Sequence, residues 1–171
     1  EFNISARLRS KLIRLKCIYK NSAVADTRDY VSAGDIITIS FDYSEDNSNI
    51  VPTKMALDII YEDIWLIVVN KPAGIPVHPS ILHYTDSLSN GLCYYFNSIG
   101  LNKKIRPVNR LDLNTSGLVV FAKCEYVQEQ LSFQMQNDRF KKKYICLVSG
   151  HLEKKSGIIN LPIARKPGSI I

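Results

Sequence analysis

The residues best placed to do chemistry lie in Asn109-Arg110-Leu111-Asp112-Leu113-Asn114-Thr115-Ser116-Gly117-Leu118-Val119-Val120-Phe121-Ala122-Lys123. Asp112 sits two residues from Arg110 in a polar turn, and the turn runs into an apolar stretch, Leu118 to Ala122, that reads as a strand. A carboxylate at a strand entrance is carried by a rigid element and can be aimed at a ligand. Once ionised it can act as a nucleophile or take a proton. Arg110 adds a flat guanidinium that stacks and donates hydrogen bonds at once. An Arg-x-Asp tripeptide taken alone is common and is usually a surface ion pair or a turn. The blocks around it decide the matter.

Two such blocks accompany it. Val68-Val69-Asn70-Lys71-Pro72-Ala73-Gly74-Ile75-Pro76-Val77-His78-Pro79 reads as a buried strand that stops at Pro72, turns at Gly74 and leaves on a stiffened path. Lys142-Lys143-Tyr144-Ile145-Cys146-Leu147-Val148-Ser149-Gly150 opens on a basic pair and continues as an apolar strand pattern. A tyrosine at such a position is ordinarily half-buried packing.

The elements that must carry these blocks can be read from periodicity. Ile4, Leu8, Leu12 and Leu15 fall at helical spacing, with Arg7, Lys11 and Arg14 on another face. Gly34-Asp35 marks a turn into the β-branched run Ile36 to Ile39. Residues 42–54 open on an acidic, polar stretch and read as a linker. Strands are expected at Leu57–Tyr61 and Trp65–Val69, paired antiparallel across a tight Glu62-Asp63 turn. A helix over Asp86–Phe96, the strand Leu118–Ala122 and a helix over Glu125–Gln136 follow. Further strands are expected at Tyr144–Val148 and Gly157–Leu161. Mixed, non-alternating elements point to an α+β fold on a largely antiparallel sheet.

The Asn109–Lys123 block resembles the catalytic motif of the RluA-type pseudouridine synthases, His-Arg-Leu-Asp-x-x-Thr-Ser-Gly-Leu. Asn70, Lys71, Pro72 and Gly74 match that family's Asn-Lys-Pro-x-Gly motif, which braces the site, so that His78 beside it is expected to be structural. Lys142 and Tyr144 match its Lys-x-Tyr motif, and Leu161-Pro162-Ile163-Ala164-Arg165 resembles the stretch that follows. The resemblance implies an enzyme that isomerises specific uridines in structured rRNA or tRNA. It makes Asp112 the nucleophile and Tyr144 the ring that stacks on the target base and takes part in proton transfer at C5. Asp112 could attack C1′ or C6, or remove a ribose proton; the residues leave all three routes open. Arg110 would fill the space left by a flipped nucleotide. Asn109 stands where the family usually has histidine and would contact RNA.

Residues 4–41, a basic helix followed by a turn and strand, resemble the second half of an S4-like RNA-binding domain, with Arg7, Lys11 and Arg14 toward RNA. The organisation expected is therefore a partial S4-like domain over 1–41, a linker over 42–54 and a catalytic domain over 55–171. The family's downstream Thr-Gly-Arg-x-His-Gln-Ile-Arg segment does not occur in these residues, so the sequence is expected to be truncated at its C-terminus.

Composition sets bounds on other readings. At 171 residues, 46% apolar and 22% charged, the chain resembles an ordinary globular protein. The net charge is +6, 22 basic against 16 acidic residues, and nine of the acids lie between Asp26 and Asp63. Basic residues gather at 7–20, 103–110 and 139–143, a pattern that suits a polyanion. Cysteines at 17, 93, 124 and 146 form no Cys-x-x-Cys pair, so no metal is expected, and no organic cofactor either. No apolar run approaches the ~20 residues that span a bilayer. A cytosolic, bacterial monomer is expected. A kinase is excluded because Leu111 separates Arg110 from Asp112 and no Gly-rich loop precedes Lys71. A glycosidase would need a second motif-borne carboxylate. The alternative of a different class is an RNA-binding protein or fragment with this fold and no turnover.

Overall fold

The computed structural model describes residues 3–164. They form two compact units, one up to Lys141 and one from Lys142 onward. The first unit holds every helix and strand found among the described residues: α1 (Ala6–Arg14), β1 (Ile18–Lys20), β2 (Ala23–Val24), β3 (Ile37–Ile39), β4 (Asp58–Glu62), β5 (Leu66–Lys71), α2 (Leu88–Ser98), β6 (Gly117–Ala122) and α3 (Glu125–Gln136). Two antiparallel sheets result, in the orders β2-β1-β3 and β4-β5-β6. The α+β class and the antiparallel pairing expected from sequence are both present.

β5 is the centre of the second sheet, and its burial alternates along the strand. Ile67, Val69 and Lys71 are fully buried, while Leu66, Val68 and Asn70 are half-buried on the opposite face. The core face packs against α2 through Leu88, Leu92, Cys93 and Phe96, with Val119 and Phe121 from β6. α2 begins two residues later than expected because Ser87 takes the N-cap. Its hydroxyl accepts from the Asn90 amide, and the Asn90 side chain accepts from the Ser87 backbone N–H in return. Gly91 has a packing reason: a Cβ there would collide with the Met55 side chain. The β4–β5 connection is held by Asp63, whose carboxylate accepts from the backbone of Trp65 at 2.7 Å and Leu66 at 2.8 Å.

A smaller cluster, Leu8, Leu12 and Cys17, forms under α1 and is closed by Phe41, Tyr43 and Tyr126. Residues 42–54, expected to be a linker, carry no helix or strand but are firmly attached. Glu45 receives two bonds from Arg106 (Nη1 at 2.7 Å, Nη2 at 2.5 Å) and one from Lys11 at 3.1 Å. Lys11 also reaches Glu125 of α3 at 2.8 Å, and the Tyr43 hydroxyl donates to that same carboxylate. The Asn47 amide donates to the Lys103 carbonyl at 2.7 Å and accepts from the Ile105 N–H at 2.9 Å.

The strands expected at 144–148 and 157–161 are not formed: residues 142–164 contain no strand. Alternating apolar residues make a strand only where a neighbouring edge completes the ladder. Ile145, Leu147, Ile158 and Ile159 are exposed in this unit, and no such ladder reaches them. Arg165, the end of the matched 161–165 stretch, lies outside the described residues.

Arg106 is 5% exposed, and Glu45 is its bidentate partner. Removing one member of such a buried pair costs about 3–5 kcal/mol, whereas replacing both with apolar groups costs far less. Glu45→Gln should therefore destabilise the protein by roughly 3 kcal/mol in urea unfolding, and Glu45→Leu with Arg106→Met by less. Burial pushes the Glu45 carboxyl up, but Arg106 and then Lys11 more than reverse this and hold it below its usual range. A depressed carboxylate stabilises fully above its unfolded value, about pH 4.3. Its contribution is lost as pH falls through the lower folded value. The destabilisation by Glu45→Gln should accordingly be undiminished from neutrality to about pH 5 and shrink in stronger acid. A penalty independent of pH would show that charge is not its source.

Candidate active site

The loop from Asn109 to Ser116 is fixed at three points. At its start, the Asn109 amide donates to the Leu118 carbonyl at 3.1 Å and accepts from the Val120 N–H at 2.9 Å. Val108 N–H to Val120 O, 2.8 Å, and Ala122 N–H to Arg106 O, 2.9 Å, lay residues 106–108 along β6. Asn109 is 8% exposed, so the side chain expected to touch RNA is engaged with the β6 backbone instead. Asparagine does this because it offers a donor and an acceptor together.

The middle of the loop is anchored by Leu111, which packs against the main core. With Leu111 turned inward, its neighbours Arg110 and Asp112 are exposed and line one cleft. A turn follows, closed by the Thr115 N–H to the Asp112 carbonyl at 3.1 Å.

The third point is Lys71. Period-two alternation in β5 puts this lysine on the core side, and it is fully buried. Its ammonium donates to the carbonyls of Pro72 at 2.9 Å, Ile75 at 2.8 Å and Leu113 at 3.0 Å. The Leu113 carbonyl accepts from the Gly74 N–H as well, at 2.9 Å. Gly74 has φ of +88°, a conformation that needs glycine. Burial lowers the Lys71 pKa from the usual lysine range, and the nearby negative charge of Asp112 opposes that. The Asn-Lys-Pro-x-Gly block is thus a clasp on the Asp112 loop. Asn70 and Pro72 stay on its outer side, where Asn70 bonds Asp58 across the sheet at 2.9 Å.

The cleft has a volume of about 1400 Å³, and α1 forms part of its wall through Arg7, Lys11 and Arg14. The basic helix and the Asp112 loop, separate readings in the sequence, therefore share one cavity. Lys11 is the exception among the expected RNA contacts, because Glu45 and Glu125 already hold it. Arg7, Arg14, Lys104 and Arg110 line the cleft with no ion-pair partner among the described residues. Lys104 and His78 were not singled out as ligand contacts from sequence; the basic run 103–110 held the signal for the first. Tyr144 belongs to the second unit, where it is 61% exposed. No cluster of metal-ligating side chains occurs among the described residues. No helix among them is long and apolar enough to cross a membrane.

The RNA pseudouridylate synthase family matches residues 65–170, more than half of the chain. The chain belongs to that family. Among its relatives, the RNA pseudouridine synthase YhcT of Bacillus subtilis is 38% identical over 135 residues, covering 79% of this chain and 44% of that protein. Ribosomal large subunit pseudouridine synthase D of Neisseria meningitidis serogroup A is 37% identical over 155 residues, 91% of this chain and 41% of the relative. The protein of the same name in Borreliella burgdorferi is 40% identical over 139 residues, 77% and 42% of the two chains. This chain thus spans less than half the length of these relatives. A solved structure of human RNA pseudouridylate synthase domain containing 4 overlaps 46% of this chain and 29% of its own, at 26% identity and a TM-score of 0.39.

Lys71→Met keeps the stem of the side chain and deletes its three donors. It should cost about 1–3 kcal/mol and speed amide hydrogen exchange at Gly74 and Thr115 selectively. Unchanged protection at those two amides would show that the ammonium does not hold the loop.

Proposed function

We propose that this chain carries the uridine-isomerising site of an RNA pseudouridine synthase, with Asp112 as the catalytic carboxylate. The observation that carries the reading is the outward pair Arg110 and Asp112. Their loop is held at Asn109, Leu111 and Leu113 and opens on a cleft lined by Arg7, Arg14 and Lys104, which have no ion-pair partner among the described residues. The reaction breaks the bond from N1 of uracil to C1′, turns the base and joins C5 to C1′. The C5 proton leaves and N1 gains one. Asp112 acts on the ribose or the base to release the bond. Tyr144, from the Lys142-x-Tyr144 motif, stacks on the base and serves the proton transfer at C5. A uridine inside a stacked helix must first be flipped out, and Arg110 takes its place.

Arg7 and Arg14, from the segment that resembles part of an S4-like domain, engage the RNA backbone together with Lys104. Several relatives are named as large-subunit ribosomal enzymes, which favours rRNA as the substrate over tRNA. Asn109 serves by positioning the loop. Neither a metal nor an organic cofactor is required by this chemistry. The competing reading, an RNA-binding protein without turnover, has the same cleft and predicts binding alone.

Tritium release from RNA carrying C5-labelled uridine separates the two, run on the natural gene product and on the 171-residue chain side by side. Asp112→Asn should abolish release while RNA binding stays within about twofold, because the amide keeps the shape and loses the charge. Retained release would remove Asp112 from the chemistry.

Flipping a base costs a few kcal/mol in a helix and least in an unpaired strand. Arg110→Ala should therefore slow release from a structured transcript by about tenfold more than from an unstructured one. Equal losses on both substrates would end the base-replacement role.

A further inference from the structure

His78 stands on the cleft wall beside Arg110 and Asp112, and the motif around it gives it no task. Its hydrogen bonds fix its protonation pattern. The Ser89 hydroxyl donates its one proton to the Val77 carbonyl at 2.7 Å. The Nδ1 of His78 lies 3.2 Å from the same hydroxyl oxygen, so Nδ1 must be the donor in that contact. The other ring nitrogen, Nε2, is then left with a lone pair and no partner among the described residues.

The support behind the ring is rigid. Ser89 is fully buried in the first turn of α2. The Leu88 and Ser89 amides donate to the Pro76 and Val77 carbonyls at 2.9 and 3.1 Å. Burial, and then the charge of Arg110, hold the imidazole below the ordinary histidine range, so it stays neutral at pH 7. His83 differs, because its Nδ1 faces the Asp86 carboxylate at 2.9 Å.

We propose that His78 is an RNA-binding residue whose Nε2 accepts a hydrogen bond from the RNA lodged beside Arg110 and Asp112. An oriented acceptor next to cations divides the work of recognition. Phosphate offers only acceptors and is left to the arginines, while His78 takes a donor. RNA presents two kinds of donor there: the ribose 2′-hydroxyl, and an imino or amino group of a base. The inference rests on the cleft being an RNA site and is independent of whether turnover occurs.

The first measurement needs no RNA. Nitrogen-15 spectra of the histidine rings in the folded chain should show one neutral ring protonated at Nδ1 that disappears in His78→Phe. A ring at that position protonated at Nε2 overturns the proposal. Binding of a fluorescein-labelled oligouridylate should then weaken about three- to tenfold in His78→Phe, the worth of one neutral hydrogen bond. His78→Gln, which can still accept through its amide oxygen, should recover part of that loss.

The source of the donor follows from modified probes. If the 2′-hydroxyl is bound, a 2′-deoxy probe binds wild type and His78→Phe alike. If a base imino group is bound, a probe of 3-methyluridine does so. Should both modified probes still distinguish the two proteins, the hydrogen bond is disproved. Thermal unfolding of each variant checks that the fold is kept, and Ser89→Ala provides a second route by releasing Nδ1. Equal binding of wild type and His78→Phe overturns this proposal and leaves the RNA site standing; failure of wild type to bind any probe overturns both.

Discussion

An ammonium in the core register of a central strand has to be given acceptors or it cannot be buried, and this requirement organises the rest of the molecule. An isolated buried charge costs several kcal/mol, and charge-assisted hydrogen bonds are the compensation a protein can offer. Lys71 finds three carbonyls, two on its own exit loop and one on the loop of Asp112. The geometry of Pro72 to Ile75 is therefore set by the charge it surrounds. Gly74, in its left-handed conformation, brings an amide to the same Leu113 carbonyl. Strand, exit loop and reactive loop become one object. A hydrophobic residue at position 71 would fit the alternation of β5 but remove the ammonium from the junction, leaving the Gly74 amide to hold the Leu113 carbonyl without it.

The second organising feature is a chain of charges running from α1 to α3. Lys11 and Arg106 each lie within ion-pair distance of both Glu45 and Glu125. Arg106 also precedes the reactive loop and lies along β6, so the network seats the cleft wall and the loop on one support. It also lowers the amount of positive charge offered to a ligand. Lys11 is neutralised by two carboxylates, and Lys103 is bound to the carbonyls of Phe41 and Tyr43 at 2.6 and 2.7 Å. The basic face of α1 is therefore narrower than its composition suggests.

Much of this was legible in the sequence where a local rule and the tertiary structure agree. The helix over 125–136 has the bounds its periodicity implied, and β4 and β5 pair antiparallel as expected, with the connection one residue later than the Glu62-Asp63 turn because Glu62 still pairs with Ile67. Periodicity misplaced α2 by two residues, because a capping exchange between Ser87 and Asn90 overrides the apolar pattern. Residues 144–148 carried a strand pattern without a strand, since pairing depends on a neighbour that a local window does not contain. The motif identified Lys71 and Asn109 as site residues, yet their partners, the Leu113 carbonyl and the β6 backbone, are contacts across sequence that composition does not reveal. The polar stretch after Asp42 looked unattached because Arg106 lies 61 residues from Glu45. The orientation of His78 depends on which way the Ser89 hydroxyl donates, and no sequence pattern encodes that.

The clasp at Lys71 also orders events in time. Leu113 lies 42 residues beyond the lysine it completes. A nascent chain that has emerged only as far as β5 holds a cation at a core position with one acceptor still unsynthesised. Closing that separation is an entropic cost met before the contact rewards it. The strand therefore cannot settle fully until the reactive loop arrives, and β6 follows immediately to complete the sheet. The Lys71 site and the reactive loop are in this way completed by the same contact, and a chain that ends at β5 has neither.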